Sequence, residues 1–97
     1  MAKTVAPKGL SREATELYEE TISNFGIEDS THRQHLLRAA EALDRMRQAQ
    51  AELKRSGLVT RDRHGVLRAH PCIGIERAAL AAYISAFRLL KLEPPEV

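Results

Sequence analysis

Between Ser30 and Gly57, apolar residues recur at Leu36, Ala40, Leu43, Met46 and Leu53, with Ala39 and Ala49 widening the stripe. Spacings of three and four put them on one face of a helix and exclude strand alternation. Asp29 or Ser30 suits the amino end, because a short side-chain oxygen accepts from an orphan backbone N–H. Lys54 and Arg55 fall in the last turn, where cations suit the negative end of the helix dipole. Gly57 then lets the chain leave in a left-handed conformation. No Gly or Pro interrupts the span, which predicts one rod roughly 40 Å long. A rod of that length exceeds what a compact small domain covers, so part of it is expected to meet another chain.

A shorter helix precedes it, opened by Ser11 and running to about Phe25. Leu10, Ala14, Leu17, Tyr18, Ile22 and Phe25 form its apolar face, and Glu16, Glu19 and Glu20 its wet face. Gly26 ends it. The short link Ile27-Glu28-Asp29 makes the two helices antiparallel or steeply angled neighbours. A DNA-reading helix-turn-helix also joins two helices across a short turn, but the second helix here is far longer than a recognition helix.

After the rod, Leu58 to Arg61 and Val66 to Arg68 read as short extended runs around Asp62-Arg63-His64-Gly65, a β-hairpin pattern. His70-Pro71 opens a last helix, since proline fits the first helical position. Ile73, Leu80, Ile84, Phe87 and Leu90 share one face with Tyr83 alongside. Ile75, Ala78, Ala79, Ala82 and Ala86 populate another, while Gly74 costs some helicity. A helix apolar on two sides is deeply buried or shared between subunits, and in so short a chain sharing is the economical reading. Pro94-Pro95 is expected to stop this helix. Residues 1–9 read as a disordered amino-terminal segment, and residues 10–97 as a single helical domain.

Composition narrows the class. The chain has 97 residues, 4% aromatics and no Trp, so Leu, Ile and Ala must do most of the packing. Such a small core gains from self-association. Cys72 is the one cysteine, which excludes an intramolecular disulfide. No apolar run approaches a membrane span, and Met1 to Lys8 lacks a signal-peptide core. The expectation is a soluble intracellular protein with no membrane partner.

Net charge is +2 but uneven. Residues 9–32 carry −5, from Arg12 against Glu13, Glu16, Glu19, Glu20, Glu28 and Asp29. Residues 33–68 carry +5, from nine basic residues against Glu41, Asp44, Glu52 and Asp62. This split fits either complementary packing between segments or a polyanion partner for the basic one. Gln34, Arg38, Glu41, Arg45, Gln48, Glu52 and Arg55 form a polar stripe along the long helix, which common surface charge pairing explains. The hairpin arginines, Arg61, Arg63 and Arg68, fit a phosphate backbone or a solvated loop alike.

Candidate catalytic chemistry is sparse. The glutamates of the first helix have no partner group for acid–base work. His32 and His35 share a helical face and His70 lies near Cys72, yet no close cysteine pair and no His-Glu-x-x-His run supports zinc. Cys72 lacks a placed base and an oxyanion-binding loop. No Gly-rich phosphate loop is present. No enzyme activity, metal or cofactor is expected.

The ordered features resemble a known family. Gly9-Leu10-Ser11 precedes an acidic helix, and a long helix ends in Glu52-Leu53-Lys54-Arg55-Ser56-Gly57-Leu58-Val59. A short hairpin follows, then His70-Pro71 and a helix carrying Ile75-Glu76-Arg77-Ala78-Ala79. The chain then closes on Leu90-Lys91-Leu92-Glu93-Pro94. Over roughly residues 9–95 this resembles the small subunit of tailed-phage terminases, in its short helical form. The resemblance implies a non-catalytic DNA-packaging protein of the bacterial host cytoplasm. Such proteins form homo-oligomeric rings, engage double-stranded viral DNA and regulate the large subunit, which carries the ATPase and nuclease. Relatives often have Leu-Gly-Leu where this chain has Leu90-Lys91-Leu92, and often run on in a tail that can carry DNA or large-subunit contacts.

The expected architecture is all-α. An antiparallel helical hairpin with one very long helix is followed by a small β-hairpin and a third helix packed back, and the whole is oligomeric. Expected phosphate contacts are Arg45, Arg47, Lys54, Arg55, Arg61, Arg63 and Arg68. Expected subunit contacts are Leu36, Leu43, Ile75, Ala79, Ala82 and Ala86. The alternative is a prophage remnant, a structural homo-oligomer without DNA binding whose arginines pair with the acidic first helix of a neighbour.

Overall fold

The computed structural model describes residues 6–96. Three helices and one two-stranded ribbon follow in the order α1 (Arg12–Phe25), α2 (Ser30–Ser56), β1 (Val59–Arg61), β2 (Leu67–Ala69) and α3 (Pro71–Leu89). Each start follows from a local cap. Ser11 accepts the Ala14 N–H, Asp29 accepts the His32 N–H, and His70 accepts the Cys72 N–H ahead of Pro71. Gly26 ends α1 in the left-handed conformation, with its N–H and that of Ile27 both returning to the Ile22 carbonyl.

The end of α3 differs from the expected proline stop. The helix finishes at Leu89, and Lys91 adopts φ 58°, a left-handed backbone that favours glycine. The Leu92 N–H returns to the Phe87 carbonyl at 3.1 Å, closing the last turn before Pro94 is reached.

One hydrophobic cluster joins all three helices. Ala14, Tyr18 and Ile22 of α1 meet Leu36, Ala39, Ala40, Ala42, Leu43 and Met46 of α2, and Ala79, Tyr83, Ala86 and Phe87 of α3. The Tyr83 and Phe87 rings lie 5.0 Å apart, tilted by 57°. The Tyr83 hydroxyl donates to the Pro95 carbonyl at 3.1 Å, which ties the chain's last segment to α3. Leu10 packs partly against the same cluster, whereas Phe25, at the end of α1, is exposed.

The expectation of disorder over residues 1–9 falls in part on residues 1–5, which lie outside the described ones. Within the rest, Ala6 packs against the cluster and its N–H donates to Glu19 Oε2 at 3.2 Å.

The molecule measures 59 × 23 × 20 Å, with a radius of gyration of 16.1 Å. A compact chain of this length would have about 13 Å. The excess comes from α2, whose last turn carries the ribbon at one end of the rod. β1 and β2 pair antiparallel with Val59 opposite Ala69, Thr60 opposite Arg68 and Arg61 opposite Leu67. No helix of the described residues is long and apolar enough to cross a membrane.

Candidate nucleic-acid interface

The ribbon is organised by Asp62 more than by Gly65. The Asp62 Oδ1 accepts from the His64 and Val66 N–H groups at 2.8 and 3.0 Å. Its Oδ2 accepts from Arg68 Nε at 2.9 Å. The Arg68 guanidinium, and then the Val66 N–H, hold this carboxyl below its ordinary pKa. Gly65 contributes the left-handed backbone the turn requires, at φ 78°. The Arg61 side chain crosses the turn and donates to the Gly65 carbonyl at 3.0 Å. Arg63 lies exposed beside His64.

The base of the ribbon is pinned where α2 ends. The His70 N–H donates to the Leu58 carbonyl at 2.8 Å. Glu52 receives Arg55 Nη2 at 2.7 Å and the Ser56 hydroxyl at 2.8 Å, and lies 3.8 Å from His70 Nε2. Arg55, followed by Ser56, holds the Glu52 carboxyl below its ordinary pKa. Lys54 is exposed and makes no ion pair among the described residues.

The seven expected phosphate contacts divide into two groups. Lys54, Arg55, Arg61, Arg63 and Arg68 gather at the ribbon end of the rod, with Glu52 and Asp62 as the acids beside them. The Arg55 and Arg68 guanidinium groups are largely exposed, while their partners Glu52 and Asp62 are partly covered.

Arg45 and Arg47 lie elsewhere, about 10 Å or more back along α2. Arg47 faces α1, where it donates to both carboxylate oxygens of Glu13 and to Gln50. That two-point bond raises the Arg47 pKa. Arg45 sits on the open face of α2 and lines a groove with His35, Arg38 and Glu41. The opposite wall of this groove is α3, through Ala82, Ser85, Ala86 and Leu89. Arg38 and Arg45 make no ion pair among the described residues. Arg38 was legible in the polar stripe but was not placed among the expected contacts, because a stripe alone cannot distinguish a paired face from an open one.

The expected subunit contacts also divide. Leu36, Leu43, Ala79 and Ala86 are buried in the chain's own core, so they have no surface to offer another copy. The reason is that α3 buries a broad arc, taking Ala79 and Ala86 in along with Tyr83 and Phe87. Ile75 and Ala82 remain on the surface. The sequence pattern did not flag the ribbon's apolar surface: Leu58, Val59, Val66 and Leu67 are each more than half exposed. The signal was present in two apolar runs with no third strand to cover them. An isolated two-stranded hairpin is marginal in water, and these four side chains are left in solvent. Among the described residues no group of three His, Cys, Asp or Glu side chains could hold a metal ion.

These features define a small, rod-shaped helical protein that gathers cations at one end and along one open helix face. A family model described as phage terminase, small subunit, matches residues 14–96. The chain belongs to that family, whose role lies in phage DNA packaging, and the resemblance read from its ordered features is borne out. No curated protein and no solved structure matches the chain.

Proposed function

We propose that this protein is a non-catalytic DNA-packaging adaptor. It assembles with copies of itself, engages double-stranded viral DNA and regulates the large terminase subunit that carries the ATPase and nuclease. It acts in the cytoplasm of the bacterial host. One observation carries the DNA contact: Lys54, Arg55, Arg61, Arg63 and Arg68 converge on the protruding ribbon end of the rod. Phosphate contacts of this kind position a protein on the duplex without reading its sequence. No aromatic side chain stands among them, so stacking on bases is not part of the reading. The exposed apolar residues of the ribbon, and Ile75 and Ala82 on α3, are the surfaces left for protein partners.

The second reading is a structural homo-oligomer without DNA binding. The Arg47–Glu13 clamp favours it, because it shows basic α2 already spending charge on acidic α1. Titration of the protein with duplex DNA across a salt series separates the two, since arginines neutralised by protein carboxylates do not displace the counterions condensed on DNA phosphates.

A further inference from the structure

We infer that the groove between α2 and α3, rimmed by Arg38 and Arg45, receives the acidic outer face of α1 from a second copy of this chain. The inference rests on the self-association in the proposed function and assigns its contact surface.

The charge of the groove is only partly compensated inside one chain. Arg38 and Arg45 stand two helical turns apart, roughly 10 Å, on the open face of α2. His35 and Glu41 share the groove, and Glu41 is its one acid. Neither arginine is within ion-pair distance of a carboxylate among the described residues. Ala82 and Ala86 keep the opposing wall low, which allows a helix to approach closely.

The outer face of α1 is the complement. Glu16 and Glu20 are exposed one turn apart. Glu20 has no partner among the described residues, and Glu16 has only Arg12, in an exposed pair. Exposed pairs of that kind are weak. Glu13, one turn before Glu16 on the same polar side of α1, already shows such a pairing inside the chain, where Arg47 of α2 clamps it. The inferred contact repeats that pairing between copies, with Glu13 at the start of α1 held by its own α2 and Glu16 and Glu20 further along held by a neighbour's. It gives the opposite charges of residues 9–32 and 33–68 a common purpose. A contact between two different surfaces is heterologous, so successive copies propagate into a ring or a filament. It leaves the ribbon end free.

The test is charge reversal in the full-length chain. Variant one carries Arg38→Glu and Arg45→Glu, and variant two carries Glu16→Arg and Glu20→Arg. Helicity by circular dichroism and assembly mass by analytical ultracentrifugation are read at tens of micromolar, with duplex DNA affinity alongside. Each variant alone should keep its helicity and self-associate about a hundredfold more weakly, because like charges face each other. An equimolar mixture should assemble again in alternation, since each variant's groove then complements the other's α1. The inference is overturned if either variant assembles like the parent, or if the mixture stays dissociated. It is also overturned if variant one loses only DNA binding, which would make the groove a nucleic-acid surface. A parent that is itself monomeric would overturn the self-association reading, and this inference with it.

Discussion

Arg47 holds Glu13 across 34 positions of sequence, with Nε on Oε1 at 3.0 Å and Nη2 on Oε2 at 3.1 Å. Beside it, the Ser11 N–H donates to Asp44 Oδ2 at 2.9 Å and the Ser11 hydroxyl donates to Oδ1. Together these contacts fasten the start of α1 to the middle of α2. Arg47→Ala is therefore expected to cost about 1 kcal/mol of stability, the upper range for a half-exposed pair with two-point geometry. Glu13→Ala should cost a similar amount, and the double variant little more than either single one. Urea denaturation of the three variants measures this coupling. DNA affinity of Arg47→Ala should stay near that of the parent.

Leu36 and Ala79 are core residues, and their variants should behave as such. Leu36→Ala is expected to cost about 2–5 kcal/mol. Ala79→Glu places a carboxylate in the buried contact between α2 and α3 and should unfold the chain. Ala82→Glu, on the exposed wall of the groove, should keep helicity while assembly weakens. Circular dichroism with sedimentation separates the outcomes. An Ala82→Glu chain that assembles like the parent would remove the groove from the subunit contact.

Lys91 sits in a backbone conformation that costs a residue with a Cβ about 1–2 kcal/mol. Lys91→Gly should stabilise the chain by about 1 kcal/mol, because the flexibility of glycine in the unfolded chain offsets part of that relief. Thermal denaturation should show a midpoint higher by about 4–8 °C.

Asp62 gives the ribbon a pH dependence. Its carboxyl pKa is lowered in the folded chain, so its contribution is present above the unfolded value of about 4 and is lost as pH falls through the folded one. Acid should loosen the ribbon while the helices persist. The protection of the Val66 and His64 amides, measured as exchange relative to the intrinsic rate at each pH, should fall in that window. In Asp62→Asn the two amide bonds have a neutral acceptor, and the pH dependence should vanish.

The fold was largely legible because its punctuation is local. Ser11, Asp29, Gly26 and His70-Pro71 act within a few residues of themselves, so the order of elements could be read directly. What could not be read was which faces meet. Glu13 gives no sign along the chain that its partner is Arg47. Leu36, Leu43, Ala79 and Ala86 read as subunit contacts because periodicity marks an apolar face without naming what covers it. Lys91 hid the helix stop, since the left-handed site carries a residue that rarely marks one. The cluster at the ribbon end was legible for a simple reason: Lys54 to Arg68 lie close in sequence as well as in space.

The claim that the ribbon end contacts DNA is tested most directly by the salt dependence of duplex binding, compared between the parent and a chain carrying Arg61→Ala, Arg63→Ala and Arg68→Ala. Each phosphate contact adds about −0.9 to the slope of log affinity against log salt. The triple variant should flatten that slope by up to about 2.7 per engaged subunit, while its assembly mass stays that of the parent. An unchanged slope in the triple variant, or no binding by the parent even at low salt, would contradict the account.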